Sequence, residues 1–185
     1  MATRLSRAFH NGFVISLLVG LFGPLLHAQE IHIRVLNARN GKPITKECLN
    51  VWIGPLHGQA LYAPTNNMGV AVLHIRDNEA TANDVSPRAC NVNAALGPRP
   101  IPKGADTIEV AGGNYVACQE YGKIVPGEPA TPNLVGELMP SYPIKKILES
   151  GVAAGNTCGK FKVEAKPGEL IFFVRPPTWL EKLKR

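Results

Sequence analysis

The sequence is poor in charge and in aromatic rings. Only 18% of its 185 residues are Asp, Glu, Lys or Arg, and 6% are Phe, Trp or Tyr. Globular chains carry about a quarter charged residues, so part of the surface is expected to lie under loops. So few aromatics argue against the ring-lined cleft of a glycosidase. Nucleophiles are scarce as well. Beyond residue 28 the serines are Ser86, Ser141 and Ser150, and none sits in a Gly-x-Ser-x-Gly elbow. There is no Cys-x-x-Cys pair for zinc, no His-x-His or His-x-x-x-His, and no internal repeat. Glycine and proline are plentiful, at 18 and 16 residues. That punctuation disfavours a helical bundle and favours short strands joined by turns.

Residues 1–28 read as an export signal. Arg4 and Arg7 are its positive region, and no acidic residue precedes Glu30. The run from Gly12 to Phe22 is apolar apart from Ser16, and Gly23-Pro24 breaks it. As a helix it would span about 16 Å, roughly half a hydrocarbon core, so a membrane span is the weaker reading. Ala28 is a small residue at the expected cut, with Gln29 following. Leu26 is bulkier than such a site prefers, which leaves a retained anchor as the alternative. Without this segment the chain keeps 18 basic and 14 acidic residues, a charge of +4. Its basic residues are scattered except for Lys145-Lys146, Lys160/Lys162/Lys166 and Lys182, Lys184, Arg185. Such groups read as solvated faces, and no aromatic-basic motif points to nucleic acid. The expected location is the periplasm, the cell surface or the medium, with no stable membrane span after cleavage.

The four cysteines, Cys48, Cys90, Cys118 and Cys158, all lie beyond the signal. An even count in an exported chain predicts two disulfides, and four cysteines permit three connectivities. The favoured one is Cys48–Cys90 with Cys118–Cys158, closing two loops of about 40 residues.

Along residues 29–185, expected to form a single domain, the hydrophobic pattern has mostly period two. Ile31, Ile33 and Val35 alternate with His32 and Arg34, and Leu49, Val51 and Ile53 alternate with Asn50 and Trp52. A short third strand is expected near Gln59–Tyr62, and a fourth from Val70 to Arg76. Thr107–Ala111 and Asn114–Gln119, joined by Gly112-Gly113, suggest a β-hairpin. Pro143 to Ser150 is the one credible helix, with Pro143 in its first turn and Gly151 at its end. Leu170 to Val174 is apolar on both faces and should be a central strand. Trp179 to Arg185 is a basic, helical tail, with Trp179 expected to pack it onto the body. Residues 77–106 and 120–168 read as loop-rich excursions. The predicted fold is all-β: an antiparallel, Ig-like β-sandwich with long loop insertions and one short helix.

The segments Ile31–Leu36, Asn40-Gly41-Lys42-Pro43-Ile44 and Leu49–Ile53 resemble the opening of carboxypeptidase regulatory-like domains, which are transthyretin-like (prealbumin-like) sandwiches. That family follows with a Thr-Asp-x-x-Gly turn; here it reads Thr65-Asn66-Asn67-Met68-Gly69, with Asn66 in the Asp position. The resemblance covers about 45 residues. The second half resembles exported bacterial proteins without an assigned activity. The same fold hosts hydroxyisourate hydrolase, whose Tyr-Arg-Gly-Ser tail is absent from this sequence, so that activity is not implied.

Candidate site residues are few. His32 and His74 sit on strands and would converge if those strands pair, giving half a metal site. His57 lies in a Gly/Pro loop. The oxygen ligands Asp77, Asn78, Glu79, Asn83 and Asp84 lack the spacing of an EF-hand, and a solvated turn is the better reading. Trp52 is a possible platform for a sugar or a partner's side chain, against the plainer reading of a second core face. The expectation is a non-catalytic binding or scaffolding module for a protein or glycan, with no cofactor and no metal. The alternative is a small hydrolase using His32, His74 and Arg34.

Overall fold

The computed structural model describes residues 29–54, 60–76, 79–82, 90, 98–119 and 141–183. The expected signal, His57, and Asp77, Asn78, Asn83 and Asp84 lie outside them. The described chain is a two-sheet, mostly antiparallel β-sandwich.

The larger sheet starts from β1 (Gln29–Asn37), β4 (Val70–Arg76), β5 (Glu79–Ala82) and β6 (Arg99–Pro100). On the other side of β1 lie β11 (Glu169–Arg175) and β10 (Val152–Ala153), giving the order β10-β11-β1-β4-β5-β6. A further short strand, β8 (Val116–Ala117), pairs with the end of β11. The smaller sheet runs β3-β2-β7-β9, with β2 (Cys48–Ile53), β3 (Leu61–Pro64), β7 (Thr107–Gly112) and β9 (Ser141–Pro143). Among the described residues two short helices accompany the sheets, α1 (Ile144–Ser150) between β9 and β10 and α2 (Trp179–Leu183) after β11.

The main core lies between the sheets. Ile31, Ile33 and Val35 of β1, Leu73 of β4 and Phe172 of β11 meet Leu49 and Val51 of β2 and Ile108 and Val110 of β7. Ile147 of α1 joins the same cluster. Each such side chain contributes about 1.5–3 kcal/mol of burial. A second, smaller core sits on the far face of the large sheet. There Leu36, Ala38, Cys118, Ile171 and Phe173 are covered by Cys158, Phe161, Val163 and Ala165. This is why β11 is apolar on both faces: Leu170, Phe172 and Val174 serve one core, Ile171 and Phe173 the other. Across residues 160–166, Phe161, Val163 and Ala165 turn inward while Lys160, Lys162 and Lys166 stay exposed.

Both favoured disulfides are present, Cys48–Cys90 and Cys118–Cys158, and no cysteine is free. The Asn66 turn is built as its residue types require. The Asn66 side-chain oxygen accepts from the backbone N–H of Met68 and Val70, at 2.8 and 3.1 Å. Gly69 closes the turn at φ 72°, a left-handed conformation, with Pro43 against its Cα.

Several expectations are corrected. The sandwich is not wholly antiparallel, since β11 runs parallel to both β1 and β10. The long return of the chain after α1 lets it enter the sheet in the same direction as β1. The hairpin at Gly112-Gly113 does not form: β7 pairs with β2 and β9, whereas β8 pairs with β11 in the other sheet. Two anchors at the start of β2 redirect the chain there. Gly113 donates its N–H to the Cys48 carbonyl, and the buried Glu47 carboxylate accepts from the Asn114 backbone at 2.7 Å. The third strand is Leu61–Pro64 rather than 59–62; Pro64 is tolerated because β3 is an edge. The expected excursion 77–106 contributes β5 and β6 to the sheet, and 120–168 contributes β9 and β10 beside the helix. Pro143 caps the helix from outside its first turn, with extended backbone.

Candidate functional site

Three surfaces carry chemistry that the cores do not absorb. The first is the outer face of the large sheet. Because β1 and β4 pair antiparallel, Glu30 stands opposite His74, and period two puts His32 on the same face as Glu30. The Glu30 carboxylate lies 3.5 Å from His32 Nε2 and 3.3 Å from His74 Nδ1. The two histidines therefore converge, but on a carboxylate. Arg34, one position further along this face, is taken up elsewhere: its guanidinium pairs with the nearly buried Glu169, whose second oxygen accepts from the Lys166 backbone at 3.1 Å. Among the described residues, no group of three or more His, Cys, Asp or Glu is arranged to hold a metal ion.

The second surface is the outer face of the small sheet. Register places Trp52 opposite Glu109, and Asn50 opposite Tyr62 on one side and Ala111 on the other. Trp52, Asn50 and Tyr62 are half-buried and belong to neither core. Ser141 of β9 is the other register partner of Glu109. Glu109 is buried, and its Oε2 has no hydrogen-bond partner. Burial pushes its carboxyl up to about 7, since a charge there would lose its hydration. Cys48 lies on this same face, so the bridge to Cys90 leaves from it.

The third surface is the end of the described chain. After Arg175 and Pro176-Pro177, Thr178 and Glu181 form a capping box. The Glu181 carboxylate accepts from the Thr178 N–H at 2.6 Å, and Thr178 Oγ1 accepts from the Glu181 N–H at 3.4 Å. Arg175 grips the same carboxylate with both terminal nitrogens, at 2.6 and 2.8 Å. Those bonds, with those from Thr178, hold the Glu181 carboxyl well below the usual range. A cleft of about 360 Å³ opens at the base of α2, lined by Asn114, Tyr115, Pro176, Pro177 and Lys182. Trp179 does not pack the tail onto the body, contrary to expectation: it is 71% exposed, with Leu180 and Leu183 at 61% and 66%.

The sequence singled out His32, His74, Trp52 and Arg34 as candidates but not their neighbours Glu30 and Glu109, nor Glu181. Two signals were readable. Glu30 is two residues from His32 and so shares its face, and Thr178-x-x-Glu181 has the spacing of a capping box. Glu109, an acid between Ile108 and Val110, announces only that one face of β7 is not core.

These features define a disulfide-bonded β-sandwich carrying polar and aromatic side chains on its outer sheet faces. Compared with protein-family models, curated proteins and solved structures, the chain matches none.

Proposed function

We propose that the protein is an exported, non-catalytic binding module on a transthyretin-like sandwich, and that the outer face of its small sheet takes a glycan. One observation carries this reading. A buried carboxyl with an unpartnered oxygen, Glu109, stands opposite Trp52 on a face that also bears Asn50 and Tyr62. Sugar rings offer flat C–H faces that stack on indole and phenol, and hydroxyls that need acceptors and amides at their edges. Export is supported by the two disulfides, which belong to an oxidising compartment, and by the signal-like residues 1–28. The transthyretin-like reading is supported by two sheets in face-to-face packing and by the Asn66 turn, where an amide oxygen acts in place of the family's Asp. The hydrolase alternative draws little support, because Arg34 is committed to Glu169 and the histidines to Glu30.

The test is affinity electrophoresis in gels containing neutral, amino-sugar or uronic-acid polysaccharides. Retardation in at least one gel, reduced tenfold or more in Trp52→Ala and Tyr62→Ala, is expected. Equal mobility in every gel, or equal retardation of folded variants and parent, would remove the reading.

A further inference from the structure

The helix α2 is docked the wrong way round for a helix that completes a core. In a surface helix the apolar stripe normally faces the body and the charged face meets water. Here the arrangement is inverted. At 100° per residue, Trp179, Leu180 and Leu183 occupy one arc of about 100°, and Glu181 lies on the opposite side. Glu181 is the residue held to the body, through Arg175 and Thr178, while none of the five helical residues is buried. The apolar arc consequently points away from the sandwich, with all three of its side chains more than 60% exposed.

The surroundings select the occupant. Lys182 flanks the apolar arc within the helix, and Lys184 and Arg185 follow it in the sequence. An indole and two leucines beside basic residues, on a short segment aimed outward, have the composition of an interfacial anchor. Such segments bury their apolar side among acyl chains while lysine and arginine meet anionic headgroups. At five residues α2 is far too short to cross a hydrocarbon core, so this contact is with the surface of a bilayer.

We infer that α2 docks the protein on an anionic phospholipid bilayer, with Trp179, Leu180 and Leu183 inserted and Lys182 at the headgroups. This surface shares no residue with the Trp52 face. The Arg175–Glu181 pair acts as a positioning device: it fixes which side of the helix the bilayer meets.

The experiment is co-sedimentation of disulfide-bonded residues 29–185, which contain every described strand of both sheets, with two kinds of vesicle. One kind is pure phosphatidylcholine; the other holds about 30% phosphatidylglycerol. Binding to the anionic vesicles is expected, with little binding to the neutral ones. Leu180→Ala/Leu183→Ala and Trp179→Ala should each lower the partition coefficient by roughly tenfold or more. Lys182→Glu should lower it several-fold, and the effect should shrink as salt is raised. Because none of these residues is buried, the variants should keep the parent's circular dichroism and melting midpoint. No sedimentation with anionic vesicles, or equal sedimentation of parent and Trp179→Ala, overturns the inference. So does a sedimentation-velocity dimer that Trp179→Ala dissolves, since the arc would then belong to a second copy.

Discussion

Glu109 lies directly opposite Trp52 in the register of β2 and β7, one carboxyl oxygen buried and unbonded on a face that also bears Asn50 and Tyr62. Burial of Glu109 makes the stability of the small sheet depend on pH. Burial raises the Glu109 carboxyl from 4.5 to about 7, so the folded protein holds this proton more tightly than the unfolded chain does. The associated stability is fully present below about pH 4.5 and is lost as pH rises through 7. With solvent screening allowed for, the change is on the order of 1–2 kcal/mol. Thermal melts between pH 5 and 8 should show a falling midpoint for the parent. In Glu109→Gln that fall should be largely removed, and an unchanged slope would sink the assignment.

Arg34 has a structural task that can be separated from any catalytic one. Its partner Glu169 has a side chain only 9% exposed. Arg34→Ala would leave that carboxylate nearly buried without its counter-charge, at a cost of about 2–4 kcal/mol. Urea titrations of Arg34→Ala and of the double variant Arg34→Ala/Glu169→Gln check this. The double variant should recover part of the loss, because the orphaned charge has gone.

The two disulfides should differ in worth. Each spans a similar length, 42 and 40 residues, so the chain-entropy effect is alike at about 3–4 kcal/mol. Their surroundings are not alike. Cys118 is fully buried in the second core beside Phe173, whereas Cys48 is half-buried on an outer face. Cys118→Ser/Cys158→Ser should therefore lose more stability in denaturant melts than Cys48→Ser/Cys90→Ser.

The second core is covered by Phe161 together with Cys158, Val163 and Ala165. Phe161 meets Phe173 edge to face, with centroids 6.3 Å apart. Phe161→Ala should cost about 2–3 kcal/mol, and Phe161→Leu about half as much, since leucine keeps most of the covering area but not the aromatic contact. Hydrogen exchange should locate the loss at Leu36, Ala38 and Ile171 while Leu49 and Val51 in the main core stay protected.

Local residue pattern is enough to mark the strands whose faces differ. Alternation at Ile31–Val35 and Leu49–Val51 assigned inward and outward residues correctly, and the doubly apolar Leu170–Val174 marked a strand buried on both sides. Proline before and glycine after Ile144–Ser150 bounded the first helix. These signals are local: a period of two or 3.6 is written within a few residues, and so is a capping box. Tertiary structure decided everything that depends on which strand lies beside which. The chain crosses between sheets at Gly112-Gly113 because Glu47 and Cys48, more than 60 residues earlier, take the N–H groups there. The parallel seat of β11, the meeting of His32 and His74 on Glu30, and the placing of Glu109 against Trp52 all follow from register. The outward aim of Trp179 has a nearer cause, the Arg175 side chain that holds Glu181 six residues on. Backbone pairing is nearly indifferent to side-chain identity, so local pattern names the faces of a strand but leaves its neighbours to the packing of the whole.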